Sequence, residues 1–295
     1  MLTVSDIVPD QEREFQLSDK AFRAITGMIY DKAGIVMDQS KRELVYSRLA
    51  RRLRALEIPS FNEYVAFLQG RDGEDERWQL INALTTNHTQ FFREPHHFEY
   101  LKKTLAPHWR NRFRKGDKSP VRIWSAGCST GEEVYTIAMV LAEALRDAPG
   151  LDWKILATDI DTRVLAAGKA GRYAPNAKQD IPPLYHVQHL SRTSSNEIQM
   201  SQFLRSRIQF NQLNLHGAWP MRRKFDLIFC RNVVIYFGQK DKEALVSRFC
   251  EALKPDGHFI MGHSESINIK EAPLELVGRT IYRRCVNAKK RCENG

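Results

Sequence analysis

From residue 18 onward, apolar positions recur at the three- and four-residue spacing of a helix. Phe22, Ile25 and Ile29 follow Ser18, a good N-cap, and Gly34 stops the run. Ser40-Lys41-Arg42-Glu43 and Ser60-Phe61-Asn62-Glu63 have capping-box spacing. They predict helices over about 40–56 and 60–69, the second ending at Gly70. A polar RDGEDE loop and a short helix through Trp78, Ile81 and Leu84 come next, and nothing before residue 90 reads as a strand. After TTNHTQFFRE, Pro95 suits the first turn of a helix with Phe98, Leu101, Leu105 and Trp109 as its buried stripe. RNRFRKGDKSP is then a charged surface connection.

From residue 121 the period alternates between two and 3.6. VRIWSAG, WKILATDI, FDLIFCRN and GHFIMGH read as strands, with TIYRRC as a possible last one. EEVYTIAMVLAEAL, TRVLAAGKA and QKDKEALVSRFCEAL read as helices between them, the first with Val134, Ile137, Ala138, Leu141 and Leu145 at helical spacing. This order predicts an α/β fold, a mostly parallel sheet with helices on both faces, preceded by an all-α segment. Residues 172–213 interrupt it with Pro182, Pro183, a polar SRTSSNE run and two alternating segments, EIQMSQFL and RIQFNQL. They read as a small antiparallel insertion. The tail NAKKRCENG reads as frayed.

The 295 residues suggest about two domains at roughly 150 residues each. The longest apolar stretches, IAMVLAEAL with Glu143 and VVIYF, fall short of the ~20 residues of a spanning helix. The acidic start MLTVSDIVPDQERE lacks the apolar core of a signal peptide. A net charge of +10 favours an acidic partner without choosing among nucleic acid, membrane and protein. Cys128, Cys230, Cys250, Cys285 and Cys292 are scattered with no C-x-x-C, as expected of reduced thiols. The histidine pairs, including His96-His97, show no H-E-x-x-H spacing, so no metal site is expected.

The most informative local signal is VRIWSAGCSTGEEVY. A strand ends in small residues that let a ligand approach the backbone, and a helix N-terminus follows. The spacing G-x-x-x-G departs from the dinucleotide fingerprint, and G-K-[ST] is absent. Glu132 and Glu133 in the first helical turn oppose a pyrophosphate but suit a cationic amine or ribose hydroxyls. The next strand ends in ATDID, where Asp159 is placed to accept from a ribose and Asp161 to cap the helix. A cationic nucleoside without phosphate is S-adenosylmethionine, and the K-P-D-G turn in LKPDGHFIMGHSES is frequent late in methyltransferase sheets. Base-amine methylation is opposed by the absence of a D-P-P-Y type motif in FDLIFCRNVVIYF, and Cys230 lacks the neighbouring Pro of a C5 nucleophile.

TTNHTQFFRE, SAGCSTGEEVY, ATDID, NQLNL, FDLIFCRNVVIYF and LKPDGHFIMGHSES, in this order, resemble the CheR family of chemotaxis receptor methyltransferases, over about Leu17 to Tyr282. The resemblance implies a Rossmann-like S-adenosylmethionine-dependent methyltransferase domain with an inserted small antiparallel β-subdomain, preceded by an all-α N-terminal domain. The expected boundaries are 15–90 for the helical, receptor-docking domain and 91–115 for a linker and helix contributing to the cofactor site. The methyltransferase domain would span 116–286, with 172–213 as the insertion. The implied activity is methylation of glutamate side chains of bacterial chemoreceptors to methyl esters, with S-adenosylhomocysteine as product. Implied partners are the receptors' cytoplasmic methylation helices, and a receptor C-terminal peptide at the β-subdomain. The protein would be a cytoplasmic monomer recruited to membrane-bound receptor arrays, with no nucleic-acid partner and no membrane insertion.

By the same resemblance, Asn87, Thr89 and Arg93 close over the cofactor, and Glu133 and Asp159 hold its polar atoms. Asn214 and Leu215 frame the adenine, while Arg231 and Asn232 lie near the methionine part. Arg93 and Tyr236 are the candidates for orienting the substrate carboxylate. A glutamate side chain, with a reference pKa near ~4.3, is already ionised at neutral pH, so no general base is required. In SKRELVYSRLARRLRAL, Val45, Leu49, Leu53 and Leu56 share one side of a helix, and Lys41, Arg48, Arg51 and Arg52 a neighbouring arc that Arg54 extends. Arg48, Arg51, Arg52 and Arg54 are therefore the expected docking surface for an acidic substrate helix. Two competing readings are a catalytically inactive S-adenosylmethionine-binding regulatory module and an RNA or small-molecule methyltransferase. The joint presence of Arg93, Glu133, Asp159, Asn232 and Tyr236 opposes the first, and the motifs oppose the second.

Overall fold

A computed structural model describes residues 13–265, 267 and 272–285. The expectations for the extreme N-terminus, the tail and Cys292 fall outside the described residues. The chain divides into two compact units between Thr86 and Asn87. This places the boundary four residues before the expected 90, because Asn87 is bonded into the second unit, its side chain donating to Asp161 at 2.9 Å.

The first unit is helical: α1 (Asp19–Ala33), α2 (Arg42–Ala55), α3 (Phe61–Gln69) and α4 (Glu74–Leu84). Ser18 accepts from the Ala21 N–H, and Gly34 ends α1 in the left-handed region at φ 70°. Ser60 caps α3 by accepting from the Glu63 N–H. The other capping box does not form. The Asp38 carboxylate takes both the N–H and the hydroxyl of Ser40, opening a 3₁₀ turn, Gln39–Lys41, ahead of α2. The apolar faces meet in a core where Ile25, Ile29, Val45, Leu49, Leu53 and Phe61 are fully buried. Each such side chain contributes about 1.5–3 kcal/mol.

The second unit starts with α5 (His96–Tyr100) and α6 (Ala106–Arg114), joined by a π-helical turn, Leu101–Leu105. That turn was not foreseen; all four stripe residues Phe98, Leu101, Leu105 and Trp109 are buried as expected. The order continues β1 (Val121–Ala126), α7 (Glu132–Ala144), β2 (Trp153–Asp159), α8 (Thr162–Ala170), β3 (Arg172–Tyr173), α9 (His186–His189), β4 (Leu190–Arg192), β5 (Ile198–Met200), α10 (Gln202–Arg205), β6 (Ile208–Gln212), β7 (Phe225–Cys230), α11 (Gln239–Ala252), β8 (Leu253–Met261), β9 (Leu274–Gly278) and β10 (Ile281–Arg284). Seven strands form one sheet in the order β6-β2-β1-β7-β8-β10-β9. Pairings from β6 to β8 are parallel, and β10 and β9 close the edge antiparallel. Residues Val134 to Leu141 of α7 are all buried.

The inserted sheet holds only β3, β5 and β4, all antiparallel. The expected insertion of 172–213 is therefore too long. RIQFNQL supplies β6, which pairs parallel with β2 from Ile155↔Ile208 to Asp159↔Gln212. EIQMSQFL stops being a strand at Met200, where Ser201 caps α10. Alternation has period two in either kind of pairing, so it cannot name the neighbouring strand. In this arrangement the C-terminal ends of β1, β2 and β7 lie side by side, with Ala126 opposite Thr158 and Ser125 opposite Phe229. In parallel α/β sheets such ends carry the ligand.

Candidate active site

The loop after β1 is built around backbone that ordinary residues avoid. Gly127, Ser129 and Gly131 have φ of 78°, 48° and 94°. A Cβ on Gly127 would sit 2.3 Å from Val233 Cγ2, so only glycine fits there. The N–H groups of Gly127 and Cys128 both donate to the Thr158 carbonyl, at 2.8 and 2.9 Å. The Ser129 N–H donates to Asp159 Oδ2 at 2.8 Å, and the Asp161 N–H to Asp159 Oδ1 at 3.0 Å. The Ser129 hydroxyl donates to the Asn87 carbonyl at 2.9 Å. Asn87, Asp159 and the glycine loop are thus one hydrogen-bonded cluster. Burial pushes the Asp159 carboxyl above the usual carboxylate range, against the lowering effect of the Asp161 and Ser129 N–H groups. Asp161 caps α8 as expected, accepting from the Arg163 N–H.

A second cluster centres on Arg231. Its guanidinium donates to Glu133 Oε2 at 2.8 Å and to the Arg93 carbonyl at 2.6 Å, and lies 3.2 Å from Glu94 Oε2. Glu133 also accepts from the Ser125 hydroxyl at 2.8 Å. The Arg231 side chain is 3% exposed, and it packs 5.7 Å from the centre of the Phe98 ring. Arg231 thereby ties the end of β7 to Glu133, the acid expected to hold the cofactor's polar atoms. Its charge is paired inside the protein with Glu133 and Glu94, and it also donates to the Arg93 carbonyl. Removing one partner of such a buried pair costs about 3–5 kcal/mol, because a charge is left uncompensated.

Arg93 lies between Phe92 and Glu94, whose φ values are 53° and 59°. Its own guanidinium donates to the His88 carbonyl at 3.1 Å and meets no carboxylate among the described residues. Thr89 is half-buried, with no side-chain hydrogen bond among the described residues. Asn214 and Leu215 follow β6, where the Leu213 N–H donates to the Asp159 carbonyl at 2.9 Å, tying that segment to the end of β2. Asn232 takes the left-handed region at φ 59° just past β7. Tyr236 ends a 3₁₀ turn, Val234–Tyr236, half-buried against the core between the sheet and α11.

Sequence reasoning missed two features. Glu265, buried to 5% exposure, accepts from four backbone N–H groups, those of Asn232, Val233, Ile235 and Gly262. The only sequence signal is an acid shortly after an apolar strand. Glu94, His96 and His97 also bring potential metal-ligand atoms within 4.8 Å of one another. Glu94 is already engaged there by Arg231 and by the His263 N–H at 3.0 Å. Burial and the Arg231 charge hold His97 neutral, its pKa lowered to about 2.

The glycine loop with buried Asp159 and half-buried Glu132 and Glu133 fits a cationic nucleoside and opposes a phosphate. A family model described as CheR methyltransferase, SAM binding domain, matches residues 87–283. The chain belongs to the CheR methyltransferase family. The CheR all-alpha domain matches residues 20–85, the helical unit. The chain is 42% identical over 270 residues to the chemotaxis protein methyltransferase of Escherichia coli K12, covering 90% of this chain and 91% of that one. It is 39% identical over 260 residues to the probable chemotaxis protein methyltransferase of Rhizobium etli, covering 87% and 96%. Among solved structures, PKMT2 from Rickettsia typhi in complex with AdoHcy is similar at 15% identity and a TM-score of 0.30, over 48% of this chain and 20% of that one.

The helical unit of this CheR chain also revises the expected docking surface. Arg48 caps the C-terminus of α4, donating to the carbonyls of Ala83, Leu84 and Thr85, the last at 2.6 Å. Arg52 forms a two-pronged pair with buried Glu76, which also accepts from the Tyr64 hydroxyl at 2.7 Å. Both guanidinium groups are consumed by the fold, so neither is a free docking residue. Arg54 is paired with Glu14 at 2.9 Å but stays 55% exposed. Arg51 is exposed and meets no carboxylate among the described residues. Helical periodicity placed all four arginines on one arc but could not supply partners from other elements.

Proposed function

We propose that this methyltransferase esterifies glutamate side chains in the cytoplasmic methylation helices of chemoreceptors. The observation that carries the reading is Arg93. It is a half-buried arginine whose carbonyl accepts from Arg231 and whose guanidinium meets no carboxylate among the described residues. Such a fork can hold an incoming carboxylate with two parallel hydrogen bonds. The relatives' names, chemotaxis protein methyltransferase, support the same substrate class.

When bound, S-adenosylmethionine supplies a methyl group on a cationic sulfonium. Asp159, with a lone pair left on each oxygen, would accept from the ribose, and Asn214 and Leu215 would frame the adenine. Glu133 would face the cationic end, held in place by Ser125 and Arg231. Asn87, Thr89 and Asn232 would complete the enclosure. Arg93 and Tyr236 would align the substrate oxygen, which needs no deprotonation. Alignment and exclusion of water are then the main catalytic work. Arg51 and Arg54 of α2 would draw in the acidic receptor helix. The short edge strands β3 and β4 of the inserted sheet offer free backbone to an extended receptor peptide.

The test is transfer of labelled methyl from S-adenosylmethionine to receptor-containing membranes, followed by mild base. Release of the label as methanol is expected, because esters hydrolyse and methyl amines do not. Base-stable label, or label in nucleic acid alone, would overturn the reading.

A further inference from the structure

We propose that Glu265 is a positioning residue for methyl transfer, its carboxylate holding residues 232–236 in the shape the active site needs. The inference rests on the reading that Asn232 and Tyr236 face cofactor and substrate. Glu265 Oε2 accepts from the N–H groups of Asn232 and Gly262, both at 2.8 Å, and Oε1 from those of Val233 and Ile235, at 2.9 and 3.2 Å. No cation pairs with it among the described residues, and its partners there are backbone N–H groups. The clamped segment is not regular. Asn232 stands at φ 59°, and the turn after it has one internal bond at each end, Tyr236 N–H to Val233 and Phe237 N–H to Val234. Without the carboxylate, the part-buried N–H groups of Asn232 and Val233 would lose this acceptor.

The clamp reaches the cofactor loop directly. Val233, held by Oε1, packs where a side chain on Gly127 would be, 2.3 Å from its Cβ position. On the other side, a Cβ on Gly262 would come within 2.9 Å of Asn232 N and Glu265 Oε2 and 2.8 Å of Asn232 Nδ2. A side chain at position 262 would therefore press on both Asn232 and the Glu265 carboxylate. Glu265 sets Asn232 and Tyr236 through the backbone, and sets Gly127 through Val233.

Two variants of the full-length protein test this. Glu265→Gln keeps shape but turns an NH₂ toward backbone N–H donors, whichever way the amide faces. Gly262→Ala keeps the carboxylate and wedges the clamp open. Asp226→Asn is the control. Asp226 is a buried carboxylate at the opposite end of β7, accepting from the Arg122 N–H at 2.8 Å and Lys254 Nζ at 2.7 Å. The readouts are melting temperature, S-adenosylhomocysteine affinity by calorimetry, and kcat for receptor methylation well below the melting point. Glu265→Gln and Gly262→Ala should lower kcat about 10- to 100-fold and weaken the product's affinity, because misplacement by about 1 Å has effects of that size. Asp226→Asn should lose melting temperature with kcat unchanged. Wild-type kcat and affinity in a folded Glu265→Gln or Gly262→Ala protein would overturn the proposal. So would a loss matched by Asp226→Asn, or failure of both variants to fold. If the wild type forms no base-labile esters, the substrate reading falls, while the calorimetric comparison still decides the clamp.

Discussion

Asp159 and His97 show how burial changes what a single side chain can do. The sequence placed Asp159 at a strand end. The structure buries it to 8% exposure and engages one oxygen with the Ser129 N–H of the glycine loop and the other with the Asp161 N–H. Asp159→Ala should therefore weaken S-adenosylhomocysteine binding by about 1–3 kcal/mol, through the lost ligand bond and the freed Ser129 N–H together. An unchanged calorimetric affinity would remove Asp159 from the site. His97 is fully buried, with its pKa lowered from 6.5 to about 2 by desolvation and Arg231. The unfolded chain thus binds a proton near pH 6.5 that the folded chain refuses. Stability from this residue is complete above 6.5 and falls on acidification, by about 1.4 kcal/mol per pH unit below it. Urea titrations at pH 7.0 and 5.5 should show a smaller loss for His97→Gln than for wild type. Equal losses would show that His97 charges without penalty.

At the scale of elements, the segment before α5 and helix α2 carry the functional arguments. The TTN-x-T-x-FFRE stretch is legible as a motif, but its pattern does not reveal the left-handed Phe92 and Glu94. They turn the backbone so that the Arg93 carbonyl meets Arg231 while its guanidinium meets no carboxylate among the described residues. Arg93→Ala should lose far more turnover than stability, and Arg93→Lys should recover little, since an ammonium has the charge but not the fork. Full activity of Arg93→Lys under saturating substrate would mean that charge alone matters. In α2 the apolar side was readable at once, and Val45, Leu49 and Leu53 are fully buried. The basic side was not, because only tertiary structure showed Arg48 on α4 and Arg52 on Glu76. Reversing Arg51 and Arg54 to Glu should raise the apparent KM for receptor and leave cofactor affinity unchanged. Wild-type rates for that double variant at subsaturating receptor would reduce the surface to ordinary solvation.

For the whole molecule, the +10 charge is unevenly used. Part is neutralised within the fold, as at Arg231, Arg52 and Lys254. Part is left on surfaces, as at Arg51 and along β2 and β6, where Lys154, Arg207, Arg222 and Arg223 line a groove with no carboxylate among its walls. The exposed share should make receptor methylation fall with added salt, since such charges are screened over ~8 Å at physiological ionic strength. Among the described residues, no helix is long and apolar enough to cross a membrane.

The sequence by itself determined the two-part organisation, the alternation of strands and helices, the glycine loop, the acid at the end of β2, and the cofactor class. These follow from local period, cap chemistry and spacing, which neighbouring residues settle among themselves. Tertiary structure alone decided that β6 joins the main sheet, that Arg231 is sealed between two glutamates, and that Arg48 and Arg52 serve the fold. It alone showed Glu265 clamping a strained turn 30 residues away in the chain. Each depends on which distant group comes within hydrogen-bond reach. A pattern of period two or 3.6 gives the side a residue faces, not the partner waiting there.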